Sequence, residues 1–197
     1  NMTGLTISNL AAGVYTPVIT DTNTGCTVTG NPIALTQPSD IFTSGAATSV
    51  SCNGGSNGLI AFNISCGTPG YSVTWSNGAT GQNLNNLTAG SYTPTVTDDN
   101  GCVKVGSAII VGQPAPITAI PTINNASCFG ECDGSISLNI SGGTTGYTAT
   151  WSTGSTGTSI SGLCAGNYSV TIQDANGCTF TDSYMVTQPA AFGLSFV

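Results

Sequence analysis

Eight cysteines are the residues best placed for chemistry: Cys26, Cys52, Cys66, Cys102, Cys128, Cys132, Cys164 and Cys178. A thiol can ligate metal, attack an electrophile or form a disulfide. The chain has no His and no Cys-x-x-Cys pair, so a zinc site lacks ligands at workable spacing. The absence of His also removes the commonest general base. No Ser-x-x-Lys and no Gly-rich phosphate loop with Lys occurs. Glu131 is the only Glu, so a glycosidase-type carboxylate pair would need Asp from separate loops. We expect no catalytic residues and no enzyme. Disulfides formed in an oxidising compartment are the expected chemistry.

Carboxylates offer a second possibility. Asp98-Asp99-Asn100-Gly101, Asp174-Ala175-Asn176-Gly177 and Asp21-Thr22-Asn23 gather oxygens at turns. Calcium takes six to eight oxygen ligands, and each loop offers about three. Asp and Asn followed by Gly are also ordinary turn formers. No cofactor is expected, and calcium at Asp98, Asp99, Asn100, Asp174 and Asn176 is the one candidate. Lys104 could enter an isopeptide crosslink, but its counterparts at one repeat's distance are Val28 and Phe180, so the crosslink would not recur.

Charge excludes some partners. Only 5% of residues are charged, Lys104 is the only cation, and the net charge is −7. Nucleic acid and anionic membrane both require clustered Lys and Arg. No apolar run reaches the roughly 18 residues that span a bilayer, so no membrane insertion is expected. A hydrophobic fraction of 39% with regularly placed aromatics predicts packed cores. A single Lys leaves trypsin-like proteases one site, which suits exposure outside a cell.

The candidate residues are positioned by a repeat of about 76 residues. Gly25-Cys26, Gly101-Cys102 and Gly177-Cys178 recur at that interval, as do Cys52 and Cys128, and Trp75 and Trp151. Thr3-Gly4-Leu5 through Val14-Tyr15 returns as Thr80-Gly81 through Ser91-Tyr92 and as Thr156-Gly157 through Asn167-Tyr168. Gln37-Pro38, Gln113-Pro114 and Gln188-Pro189 close the copies. The chain divides into 1–38, the C-terminal part of a first repeat; 39–114 and 115–189, complete repeats; and 190–197, the start of a fourth. It reads as a window on a longer polypeptide, or as a subunit whose missing strands come from a neighbour. Such arrays serve as spacers, stalks or binding surfaces.

Within each repeat the period is two. Ile60, Phe62 and Ile64 alternate with smaller or polar residues, as do Ile136, Leu138 and Ile140. Asn77-Gly78 and Asn100-Gly101 are hairpin signals. The second repeat predicts strand A near 44–51, B near 58–65, C over 71–76, E near 82–87, F near 91–98 and G near 103–111. The expected fold is all-β, as tandem immunoglobulin-like sandwiches. Trp75 and Trp151 take the core position on strand C. Tyr15, Tyr92 and Tyr168 take the tyrosine-corner position. Pro17 and Pro94 fall inside a predicted strand, which requires an edge or a bulge there.

The internal copies propose a disulfide map. Cys52 and Cys102 recur together as Cys128 and Cys178, giving Cys52–Cys102 and Cys128–Cys178. Cys132 and Cys164 occur together in the third repeat, where the second has Ser56 and Thr88, giving Cys132–Cys164. Cys26 is left without its partner and Cys66 is left over. The A–B and F–G turns of one sandwich lie at opposite ends, so a Cys66–Cys102 bond or a Cys52–Cys178 staple between successive repeats stands as an alternative.

Ser127-Cys128-Phe129-Gly130-Glu131-Cys132-Asp133-Gly134-Ser135, Ser141-Gly142-Gly143-Thr144, Thr150-Trp151-Ser152-Thr153-Gly154, Leu163-Cys164-Ala165-Gly166-Asn167-Tyr168 and Asp174-Ala175-Asn176-Gly177-Cys178 together resemble the SprB repeat. The second repeat matches through Ser51-Cys52-Asn53-Gly54-Gly55, Trp75-Ser76-Asn77-Gly78 and Asp98-Asp99-Asn100-Gly101-Cys102. Cys66 departs from the pattern. The resemblance implies a very long, extracellular cell-surface protein of Bacteroidota, exported by the type IX secretion system, with roles in adhesion and gliding motility. Its expected partners are neighbouring repeats of the same chain, with surface polysaccharide or other fibre chains as further candidates. Phe42, Phe129 and Tyr184 are the aromatics available for sugar stacking.

Overall fold

A computed structural model describes residues 6–193. Thr3, Gly4 and Leu5 of the first copy and residues 194–197 of the last piece lie outside the described residues. The described chain is all strand and turn, with eighteen antiparallel strands.

The first unit contains two short hairpin segments. β1 (Gly13–Tyr15) pairs with β4 (Ile33–Leu35), and β2 (Val18–Thr20) pairs with β3 (Thr27–Thr29). Val14, Ile19, Val28 and Ile33 are exposed there, because no second sheet covers them among the described residues.

The second unit is a sandwich. β5 (Phe42–Thr48), β6 (Gly58–Ser65) and β8 (Leu84–Leu87) form one sheet. The facing sheet holds β7 (Ser72–Trp75), β10 (Pro94–Thr97) and β11 (Val103–Val105), and β9 (Gly90–Tyr92) pairs with β12 (Ile109–Val111). In order along the chain these are strands A, B and E opposed to C, F and G, the immunoglobulin-like arrangement. The third unit repeats it. β13 (Thr118–Asn124), β14 (Gly134–Ser141) and β16 (Ser159–Leu163) oppose β15 (Thr148–Trp151), β17 (Gly166–Gln173) and β18 (Thr179–Val186).

Period-two patterning decides which face is buried. On β6, Gly58, Ile60 and Phe62 point inward while Leu59, Ala61 and Asn63 face water. The core joins Ile60, Phe62, Val73, Trp75, Val96 and Val111; its counterpart joins Ile136, Leu138, Ala149, Trp151, Ile172 and Val186. Each such aliphatic side chain stabilises by roughly 1.5–3 kcal/mol when taken out of water. Gly58 and Gly134 are glycine for a steric reason: a Cβ would stand 2.6 Å from Val111 Cγ1 in one unit and 2.7 Å from Val186 Cγ1 in the other.

Two expected strands are interrupted. F and G of the second unit, expected over 91–98 and 103–111, break into β9/β10 and β11/β12. Pro94 has no N–H to donate, so the ladder cannot run through it. Val105 pairs with Thr95, but Ile109 pairs with Tyr92, so the G side carries one extra residue. This is a β-bulge. Gly106 sits in it and donates its N–H to the Pro94 carbonyl at 2.9 Å. Gly30 does the same to Pro17 at 2.8 Å in the first unit. The third unit has Val170 in place of Pro94, and β17 pairs with β18 without a break from Gly166 to Gln173.

Candidate functional site

The two strand-C tryptophans are core residues, 4% and 2% exposed. Each indole N–H donates to a turn carbonyl: Trp75 to Gly81 at 2.8 Å and Trp151 to Gly157 at 2.9 Å. Tyr15, Tyr92 and Tyr168 donate their hydroxyls to the carbonyls four residues back, those of Ala11, Thr88 and Cys164. This is the tyrosine corner, and it fixes the E–F turn. Of the sugar-stacking candidates, Tyr184 is corrected: it lies buried against Trp151, with ring centroids 6.3 Å apart. Phe42 and Phe129 are exposed, one on β5 and the other in the β13–β14 loop of a different unit.

The F–G turns are built alike. Asp98 accepts the N–H groups of Thr68, Asn100 and Cys102 at 2.8–3.0 Å. Asp174 accepts those of Thr144, Asn176 and Cys178 at 2.8–2.9 Å. Asn100 and Asn176 donate side-chain N–H to the hydroxyls of Thr68 and Thr144. The Thr68 N–H, then those of Cys102 and Asn100, hold the Asp98 carboxyl below the usual carboxylate range against the opposing effect of burial. Thr144, then Cys178 and Asn176, do the same for Asp174. These oxygens brace the turn and tie it to the B–C loop. Asp99 donates its backbone N–H to Thr68 O at 3.4 Å. Among the described residues no group of three or more His, Cys, Asp or Glu stands together.

The A–B loops are a second matched pair. Asn57 accepts the Ser51 N–H, and Asp133 accepts the Ser127 N–H. Gly54 donates to the Gln113 side chain and Gly130 to that of Gln188, both at 2.9 Å. Asn53 donates to the Pro114 carbonyl at 3.0 Å. Each loop is thereby fixed to the linker that follows its own unit.

The cysteines bring these turns together across units. Cys52, in the A–B loop of the second unit, is bonded to Cys178, in the F–G turn of the third. Beside this bond, Asn176 donates to the Ser51 carbonyl at 3.2 Å. Cys132 is bonded to Cys164 within the third unit, joining its A–B loop to its E–F turn. The expected Cys52–Cys102 and Cys128–Cys178 bonds are therefore corrected, and Cys102 and Cys128 are free and exposed, as are Cys26 and Cys66. The reason is the strand order. The A–B loop shares an end with the E–F turn, and the F–G turn shares the other with the B–C loop. Only the next unit, stacked head to tail, brings an F–G turn to an A–B loop. Negative charge on Asp98 pushes the Cys102 thiol above the usual range, and loss of solvent adds to this. Cys66 sits in the left-handed region at φ 62°, where the third unit has Gly142.

The family model described as the SprB repeat matches residues 44–80 and 120–156. No curated protein sequence matches the chain. Among solved structures, the N-terminal eight Ig domains of Down syndrome cell adhesion molecule isoform 1.30.30 align over 91% of this chain and 28% of that one, at 12% identity and TM-score 0.45. The IG1+IG2 pair of DIP-gamma aligns over 78% and 99%, at 11% identity and TM-score 0.41. A C-terminal 282-residue fragment of intimin, in complex with the intimin-binding domain of the translocated intimin receptor, aligns over 78% and 64%, at 14% identity and TM-score 0.37.

Proposed function

Because this chain carries SprB repeats, at residues 44–80 and 120–156, we propose that it is a structural stalk segment of a long cell-surface adhesin, placed outside the cell and serving adhesion and gliding motility. The units 39–114 and 115–189 are the stalk's building blocks, and their work is mechanical rather than catalytic. We assign them no cofactor: the F–G carboxylates act as turn braces. Export by the type IX secretion system belongs to the same reading.

One observation carries it. The Cys52–Cys178 bond crosses from one sandwich to the next with a sequence separation of 126. A pull on the two ends of the chain then passes through the disulfide and bypasses the residues between. At about 3.3–3.6 Å per extended residue, roughly 430 Å of chain is withheld from stretching. A binding module has no use for that; a load-bearing spacer does. Stretching single molecules under oxidising and reducing conditions tests the proposal. Reduction should lengthen the fully extended chain by about that amount. An unchanged length would remove the mechanical reading.

A further inference from the structure

The joint between the second and third units has two halves: an A–B loop carrying Cys52, and a face made by the Gln113-Pro114 linker with Asn176 and Cys178 of the next unit. Both halves occur a second time, separately. At the F–G end of the second unit, Gln37, Pro38, Asp98, Cys102 and Lys104 line an open cleft of about 380 Å³. Gln37 and Pro38 are the repeat counterparts of Gln113 and Pro114, which hold the A–B loop in the joint. Asn100 holds Thr68 Oγ1 at 2.7 Å as Asn176 holds Thr144 Oγ1 at 2.8 Å. An amide carries two N–H groups, so Asn100 keeps one for a carbonyl like that of Ser51. At the other end of the third unit, the Cys128 loop is braced by Asp133 and Gln188 as the Cys52 loop is by Asn57 and Gln113.

We propose that the Cys52–Cys178 joint is one rung of a ladder: the Cys102 cleft receives the A–B-loop cysteine of another SprB-type unit, and the Cys128 loop bonds the F–G-turn cysteine of another. The partner is a further copy of the same unit, recognised by Ser-Cys-x-Gly on one side and Asn-Gly-Cys on the other. The inference rests on the stalk reading, in which units act in series. Each rung removes two protons and two electrons from a pair of thiols. With a glutathione disulfide as oxidant, one thiolate displaces a glutathione thiolate to give a mixed disulfide. The second thiolate then displaces the other, leaving the protein disulfide and two reduced glutathiones.

The test extends the chain after Pro189 with a second copy of residues 39–114, oxidises it with glutathione disulfide, alkylates free thiols and maps the disulfides by mass spectrometry. Cys128 should be linked to the appended copy of Cys102, and its alkylation should fall at least tenfold relative to the 197-residue chain. In a Cys128→Ser version the appended copy of Cys102 should be alkylated instead. If Cys128 stays fully alkylated while Cys52–Cys178 is present in the same digest, the ladder is overturned and the stalk reading stands. If the appended unit bonds its own copies of Cys52 and Cys102, the ladder is likewise overturned. Absence of Cys52–Cys178 from both chains overturns the ladder and the joint beneath the stalk reading together.

Discussion

The second and third units share one fold and differ in how they hold it. The third has an internal Cys132–Cys164 bond and an unbroken F–G ladder from Gly166 to Val186. The second has Ser56 and Thr88 at the cysteine positions, a bulge opposite Pro94 and a left-handed Cys66. Even the partner of the core tryptophan has moved. Phe62 on strand B meets Trp75 edge-on at 5.1 Å, whereas Tyr184 on strand G meets Trp151. Leu138 and Ile109 occupy the complementary places. The fold tolerates these exchanges because volume is conserved across the pair, not at each position. What stays constant is the bracing of the A–B loop by its Asn or Asp and its Gln, and of the F–G turn by its Asp and Asn. Bracing that recurs at these two turns while the core partners change is what a unit selected for its joints would show.

The largest effect should come from parting the units. Cys52→Ser or Cys178→Ser removes a closure of 126 residues, worth about 5 kcal/mol in the chain-entropy model. Calorimetry should then resolve two transitions where the bonded chain shows one. Next, Cys132→Ser with Cys164→Ser should cost the third unit about 3–4 kcal/mol and bring it level with the second, since the bond spans 32 residues. Hydrogen exchange on β17 and β10 would read the change unit by unit. Gly106→Ala should cost the second unit about 1–3 kcal/mol, because its Cβ would sit 2.8 Å from Pro94 Cγ. The equivalent Asp182→Ala should be nearly neutral in a chemical denaturation series.

The tyrosines sharpen the contrast by sign. Tyr184 Oη is buried with no hydrogen-bond partner, and burial, with Asp182 adding to it, pushes its hydroxyl up to about 12. Tyr184→Phe should stabilise the third unit by about 1 kcal/mol. Tyr92→Phe deletes a bond to the Thr88 carbonyl and should destabilise the second by a similar ~1 kcal/mol. The smallest difference is expected from acid. Asp98 and Asp174 have carboxyls held below their ordinary value of 3.8. Such groups contribute stability that is complete above that value and is lost as pH falls through the lower folded value. In the Cys52→Ser chain, where the two units melt separately, both melting temperatures should drop together below about pH 4, and Asp98→Asn should flatten the response of the second unit alone.

Much of the fold was legible because one face of β6 and of β14 is buried, so the period of two is written into Ile60-Ala61-Phe62 and Ile136-Ser137-Leu138. The bulge was half legible. Pro94 announces a fault in the ladder, but whether the strand ends or bulges depends on its partner, and Gly106 answers only in three dimensions. The disulfide map was least legible. Cys52 with Cys102 and Cys52 with Cys178 use cysteines that recur together, so the repeat itself cannot tell a bond within a unit from one across two. Strand topology can, since A–B and F–G turns occupy opposite ends. Cys132 and Cys164 escape that ambiguity because they occur in one copy only.

A disulfide map of the folded 197-residue chain decides whether the joint between the units is covalent. Digestion with pepsin at acid pH, where thiol exchange is suppressed, followed by mass spectrometry should recover Cys52 linked to Cys178, with Cys102 and Cys128 free. Recovery of Cys52 linked to Cys102, or of Cys128 linked to Cys178, would mean that each unit is closed on itself and that no covalent joint exists.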